Sequence, residues 1–243
     1  MTLAVPHAVR NYQMQQALEL GLEHLQPRGQ RDGALSIVGY GPSILETWKQ
    51  ISYPVLSLSG AHDFLIERGI RPDWHADCDP RVHKSNFVKH PCWDTTYLMA
   101  SCCHPVTWGY LRGRKVQIWH ADNGPETREW LREQGEDGKF TLRPGPSIGT
   151  AALGLAKALG FRRVRLFGFD SCLVDGELRA GASEAPYQVE PPVVLTVNGV
   201  TYLTTENMKR QAEAFSEFAA GLDYELVGEG LLKAMVQRAK ETA

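Results

Sequence analysis

Cysteine is sparse in this chain of 243 residues: Cys78, Cys92, Cys102, Cys103 and Cys172 are five in all, with no CxxC spacing. The odd number and the spacing argue against a disulfide framework and against a zinc knuckle, and point to reduced thiols. Long apolar runs are missing as well. No stretch reaches the roughly 18 residues that read as a membrane span, and the start, MTLAVPHAVRNYQMQQALEL, lacks the basic-then-apolar order of a secretory signal. The expectation is a cytoplasmic protein without a membrane partner. Neither sign of charge is in excess: 26 Lys and Arg stand against 28 Asp and Glu, a formal net charge of −2. That disfavours a protein that grips duplex nucleic acid by blanket phosphate neutralisation. What is present is a globular composition, 43% hydrophobic and 22% charged, over a length that can bury a substantial core.

Apolar side chains at Met14, Leu18, Leu22 and Leu25 follow helical spacing across residues 8–26, and Pro27 and Gly29 close that run. Residues 1–33 read as a helical lead to one domain over 34–243, with no low-complexity linker between them. Short β-branched runs then alternate with helical stretches. Residues 34–38 form a predicted strand that breaks into Gly39-Tyr40-Gly41-Pro42-Ser43 and the helical ILETWKQI; residues 54–58 form a second, followed by a helix over 60–68. A third lies within 72–80 and ends in acidic residues, and others fall at 96–100, 116–119 and 164–167. This alternation specifies an α/β fold with a mostly parallel sheet. Residues 172–199 dissolve the rhythm into a Gly- and Pro-containing connection, an insertion or lid over the site. VVLTVNGVTYLTT resumes as a hairpin turned at Asn198-Gly199. A helix over 206–222 and a last strand-plus-helix close the chain. The tetrapeptide Gly-Pro-Ser-Ile occurs at 41–44 and again at 145–148, each time before a predicted helix.

The chemistry-bearing residues cluster where predicted strands end, which is where open α/β sheets bind ligands. Gly39-Tyr40-Gly41-Pro42-Ser43 admits two uses: a plain tight turn, or a loop whose glycines let backbone approach a phosphate at a helix start. Asp77-Cys78-Asp79 sets two carboxylates on one side of an extended chain. They are either solvated loop acids or a pair that binds Mg2+ or Mn2+ against a substrate diphosphate. Asp73, His75 and Arg81 enrich the same segment. His104 and His120, the latter followed by Ala121-Asp122-Asn123, are candidate general bases or phosphate donors, or histidines satisfied by backbone. Ser147 is placed to cap a helix start and offer a hydroxyl or amide to a ligand, or only to cap it while Gly149 allows close packing, and Asn123 joins the nucleotide-binding candidates. Asp170, after the run VRLF, can reach a ribose hydroxyl or a metal, or cap the next segment of chain. Cys102 and Cys103 beside His104 make a poor nucleophile, since adjacent side chains of an extended segment point opposite ways. Trp48, Trp74 and Trp119 are core or rim residues by default, with stacking on a base as the other use.

VGYGPSILETW, LSGAHDFLIERGIRPDWHADCDP and PGPSIGTAALGLAKALGFRRVRLFGFDSC, in that order over residues 34–172, together resemble the MptE-like superfamily. It includes archaeal 6-hydroxymethylpterin diphosphokinases and the motility-associated factor (Maf) proteins implicated in flagellin glycosylation. Short phage-encoded proteins are similar too, above all in FGFDSC and CCHP. The resemblance implies a Rossmann-like three-layer fold, sialyltransferase-like in style, that handles a nucleotide. It places Gly39, Gly41, Pro42 and Ser43 in the first nucleotide-contacting loop, Asp77 and Asp79 at the acidic strand end, Ser147 and Gly149 in the second loop, and Asp170 after the last central strand. Where the diphosphokinases carry an Asp-Leu-Asp-Gly-like segment this chain has Asp77-Cys78-Asp79-Pro80-Arg81, closer to the Maf and phage versions.

The leading expectation is therefore a glycosyltransferase that takes a sugar from a nucleotide-sugar donor. The two GPSI loops hold the donor, Asp77 and Asp79 bind a metal or position the diphosphate, and His104 or His120 activates an acceptor hydroxyl. The alternatives are pyrophosphoryl transfer from ATP, as in 6-hydroxymethylpterin diphosphokinase, and a non-catalytic nucleotide-binding module. The partner expected is a small-molecule nucleotide donor; the acceptor stays open, with 172–199 the segment to set its specificity.

Overall fold

The computed structural model describes residues 5–177, 179–181 and 191–241. Its centre is one sheet, built from β1 (Glu23–His24), β2 (Ala34–Val38), β3 (Val55–Leu58), β4 (Trp74–Asp77), β5 (Thr96–Ala100), β6 (Lys115–Ala121), β7 (Thr141–Leu142), β8 (Arg163–Phe167) and β11 (Asp223–Val227). The strand order is β1-β6-β5-β4-β3-β2-β8-β11, with β7 added beside β6. Every pairing in this sheet is parallel. Parallel strands are covered on both faces, which is why β2, β3, β4 and β5 are near-continuous buried runs with no alternation of buried and exposed positions. The helices that flank the sheet are α1 (His7–Leu18), α2 (Ile44–Thr47), α3 (Ala61–Ile66), α4 (Pro105–Tyr110), α5 (Pro125–Glu133), α6 (Ile148–Ala158), α7 (Glu206–Ala219) and α8 (Leu231–Glu241). None is long and apolar enough to cross a membrane.

The chain order runs from β2 through β3, β4, β5 and β6 to one edge, then returns to place β8 and β11 on the other side of β2. The loops after β2 and β8 therefore part in opposite directions and leave a crevice at the carboxyl ends of the strands. Helix α6 packs on β3 and β4 on one side and α7 on the other. It is buried almost all round, and its Gly and Ala residues make that possible: a Cβ on Gly154 would meet Leu142 at 2.4 Å.

The amino-terminal segment differs from the sequence expectation. The helix stops at Leu18 instead of running to residue 26, because Gly21 at φ +62° turns the chain. Glu23 and His24 then pair with Gln117 and Ile118 as the edge strand β1. Met14, Ala17 and Leu25 are buried in the same core as the sheet residues. The hairpin forms as expected, β9 (Pro192–Val197) against β10 (Val200–Thr205), with Asn198 and Gly199 both at positive φ. Residues 178 and 182–190 of the expected insertion lie outside the described residues. Its described part is tied to the fold by Leu173, which donates to the Leu203 carbonyl, and by Ala180, which donates to that of Tyr40.

Candidate active site

A cleft of about 490 Å3 opens at the crevice. Its walls come from the loops after β2 (Gly39–Gly41), β3 (Ser59, Gly60), β4 (Asp77–Arg81) and β8 (Gly168–Cys172), from the start of α6 (Pro144–Gly149) and from α7 (Asn207, Met208, Gln211).

The two switch-point loops hold each other. Gly39 N–H donates to the Phe167 carbonyl at 2.8 Å and Gly41 N–H to that of Gly168 at 3.0 Å. There is no room for side chains here: a Cβ on Gly41 would stand 2.7 Å from both the Gly168 carbonyl oxygen and Asp170 Oδ2. Asp170 locks the pair, accepting the Ser43 amide at 2.7 Å on Oδ2 and the Ser43 hydroxyl on Oδ1. Burial pushes the Asp170 carboxyl above its usual range, while the two Ser43 bonds pull against that shift. The sequence left three uses open for Asp170; the structure makes it a clamp on the first loop. Ser43 spends its donors on that clamp, and neither it nor the buried Pro42 lines the cleft.

The second GPSI copy behaves differently. Ser147 caps α6 in a capping box with Thr150: Thr150 N–H donates to Ser147 Oγ at 3.4 Å and Ser147 N–H to Thr150 Oγ1 at 3.2 Å. Gly149 sits where a Cβ would press on Phe169 and Gln211 at 3.2 Å. Ser147, Ile148 and Gly149 line the cleft, so the positive end of an eleven-residue helix faces it.

Asp77 and Asp79 both line the cleft, but they do not act as a pair. Asp77 Oδ1 accepts the amides of Cys78 (2.7 Å) and Asp79 (3.1 Å), and Oδ2 accepts the Ser59 hydroxyl at 3.1 Å. Burial raises its pKa, with the Asp79 charge adding, against the opposing pull of Lys84 and the two amides. Asp79 goes the other way. Burial works to raise it too, but the Arg81 hydrogen bonds and the charges of Lys84 and Arg81 outweigh burial and hold it low. Arg81 Nε donates to Oδ1 at 2.8 Å, and Lys84 Nζ stands 3.9 Å from Oδ2. Asp79 is thus already neutralised by two cations, and Asp77 is turned onto its own loop. As arranged, these carboxylates do not fit a shared Mg2+ or Mn2+, contrary to the sequence expectation. Instead the cleft carries Arg10, Arg81, Lys84 and Arg179 along its walls.

The two histidines proposed as bases are not in the cleft. His104 is the N-cap of α4, where its Nδ1 accepts the Val106 amide at 3.3 Å ahead of Pro105. His120 belongs to β6 itself, because β7 extends the pairing: His120 N–H donates to the Phe140 carbonyl and Asp122 N–H to that of Leu142. Its ring is fully buried against Ser101 and Glu136, and burial lowers its pKa despite the Glu136 hydrogen bond and charge. Asn123, two residues on, does reach the cleft. Trp74 and Trp119 are buried in the core and Trp48 packs against the smaller cluster around Phe64, so none is placed to stack on a base in the cleft. The cleft residues missed from sequence include Ser59, Arg10, Lys84, Arg179, Asn207 and Gln211; Ser59, at φ +46° directly after β3, carried a strand-end signal that could have found it.

The model of the family described as 6-hydroxymethylpterin diphosphokinase MptE-like matches residues 10–176, from α1 through the loop after β8. The chain belongs to the MptE-like family. The match contains every strand of the cleft floor and all the clamp residues. No curated protein matches the sequence. Among solved structures, the fold is similar to the Maf glycosyltransferase from Magnetospirillum magneticum AMB-1, with a TM-score of 0.67 at 16% identity, over 99% of this chain and 42% of that one. At that identity the likeness is one of fold, and this MptE-like chain spans less than half the length of that relative.

Proposed function

We propose that this protein is a nucleotide-dependent group transferase of the glycosyltransferase type, holding a nucleotide-sugar in the cleft at the switch point. One observation carries this reading: two glycine loops, the amino terminus of α6 and four basic side chains line the same cleft. That combination suits a diphosphate. The helix end and the cations stabilise the negative charge that grows on the leaving phosphate, a contribution that increases in a partly desolvated site. With Arg81 and Lys84 supplying positive charge beside Asp79, the reading needs no divalent cation on that carboxylate.

Asp77 takes the role of base in this proposal, in place of His104 and His120. It lines the cleft, its burial raises its proton affinity, and its bonds to Ser59 and the loop amides fix its position. A carboxylate so placed accepts the proton of an acceptor hydroxyl as the sugar moves to it. The test is release of nucleotide from a panel of nucleotide-sugars with simple acceptors. Asp77→Asn is expected to lower turnover by about 10²–10⁴-fold in a protein that still folds; full activity in that variant would remove Asp77 from the mechanism.

The family description favours a second reading, pyrophosphoryl transfer from ATP to a hydroxymethylpterin. Its signature is AMP formation that requires Mg2+. Bound nucleotide that stays intact with every donor and acceptor would favour a non-catalytic module.

A further inference from the structure

Away from the cleft, three side chains from separate segments converge at the sheet edge. His24 comes from β1, His120 from β6 and Glu136 from the turn between α5 and β7. Among the described residues they are the one trio of His, Cys, Asp or Glu whose ligand atoms all lie within 4.8 Å of one another. We propose that His24, His120 and Glu136 form a binding site for a divalent transition-metal ion of the zinc class.

The spacing suits such an ion. Glu136 Oε2 is 2.8 Å from His24 Nε2 and 3.2 Å from His120 Nε2. Two ligand atoms each 2.0–2.1 Å from a tetrahedral metal stand about 3.3 Å apart, so small shifts admit it. Two imidazoles and one carboxylate are a borderline donor set that suits zinc far better than magnesium or calcium. Hydrogen bonding alone does not account for the cluster. His24 Nε2 is a buried nitrogen with no hydrogen-bond partner, even though the carboxylate oxygen is close, because the approach lacks the alignment of an N–H···O bond. A cation between the three atoms would satisfy that nitrogen. The outer contacts are also in place: Ser101 Oγ lies 2.8 Å from His120 Nδ1 and fixes the ring so that Nε2 points into the cluster. His24 and Glu136 are each 15% exposed, which leaves an access route and a position for solvent.

The ion would staple the two-residue strand β1 and the α5–β7 turn onto β6. Ala121, next to His120, lines the cleft, so the staple stands behind the cleft wall and outside the transfer chemistry.

The experiment is titration of Zn2+, and separately Co2+, into tag-free, chelator-treated full-length protein, read by calorimetry, cobalt absorption and melting temperature. The expected result is one high-affinity Zn2+ per chain, a tetrahedral cobalt spectrum and a metal-dependent rise in Tm. His24→Ala and Glu136→Gln should each weaken binding by more than the roughly 10–100-fold that loss of an outer partner costs, and should abolish the rise. If His24→Ala loosens β1, the near-isosteric Glu136→Gln decides. No saturable binding, or wild-type affinity in Glu136→Gln, would overturn the site.

Discussion

Replacing Gly41 by alanine tests the close approach of the two switch-point loops. The new methyl carbon would lie 2.7 Å from the Gly168 carbonyl oxygen and from Asp170 Oδ2. Real Cβ atoms do not come so near, so either the two switch-point loops separate or Asp170 releases Ser43. Gly41 is not among the residues at positive φ, so the penalty is steric. Forcing an extra methyl into packed structure costs about 1–3 kcal/mol. For a chain of this size each kcal/mol moves Tm by about 2–4 °C, which gives a fall of roughly 2–12 °C. Gly109→Ala is the matched control. Gly109 lies within α4, at ordinary φ, with nothing within 4 Å of an added Cβ. Alanine there should stabilise by about 0.5–1 kcal/mol through the lower conformational freedom of the unfolded chain. The assay is calorimetric melting of wild type and both variants in one buffer. A Gly41→Ala protein that melts with wild type would refute the close approach of the loops, and a Gly109→Ala protein that melts lower would refute the open space beside Gly109.

The acidic residues of the cleft should show opposite pH dependence. Asp79 is held below its ordinary value of 3.8, so its contribution is present above that pH and is lost as the pH falls through the folded pKa; Asp77 is raised above 3.8, so its contribution is present below that pH and is lost as the pH rises through the folded pKa. Relative to wild type, Asp79→Asn should therefore lose stability and Asp77→Asn gain it as each window is crossed upward, and melting curves over acid to neutral pH that show the same slope for both would contradict the assignments. Burial pushes the Cys102 thiol up to about 12 and Cys103 well above its ordinary range, so alkylation followed by peptide mass spectrometry should find both unmodified in the folded protein and reactive only in denaturant. Rapid labelling of either one under native conditions would mean that this part of the core opens.

Much of the sheet was legible because a parallel strand buried on both faces has a plain signature. The strands at 34–38 and 96–100 match the sequence expectation residue for residue, and the Asn198-Gly199 turn needs positive φ that this pair supplies. Asp77, Asp79, Asn123, Ser147, Gly149 and Asp170 all line the cleft, and they could be singled out because strand ends and helix starts can be located from the same pattern. Partners could not be. Asp170 and Ser43 are 127 positions apart, and nothing local says that one clamps the other. The two GPSI copies illustrate the limit. One serine caps a long helix beside the cleft and the other spends its donors on a distant carboxylate, although the tetrapeptide is identical. The histidines failed for a related reason: β7, only two residues long, extends β6 past the point where the apolar run stops, and with it carries His120 into the interior. Edge strand β1 was hidden by the helical spacing of Leu18, Leu22 and Leu25 around it, which continues for a turn beyond the glycine that ends the helix.

The measurement that bears most directly on the account is a binding titration of nucleoside diphosphates, nucleotide-sugars and ATP, each with excess chelator and with added Mg2+. A cleft that meets a diphosphate with Arg10, Arg81, Lys84, Arg179 and the α6 terminus should bind a nucleoside diphosphate or its sugar in the presence of chelator, more weakly as salt rises and more weakly in Gly41→Ala. Binding confined to ATP with Mg2+, or no binding of any nucleotide, would contradict it.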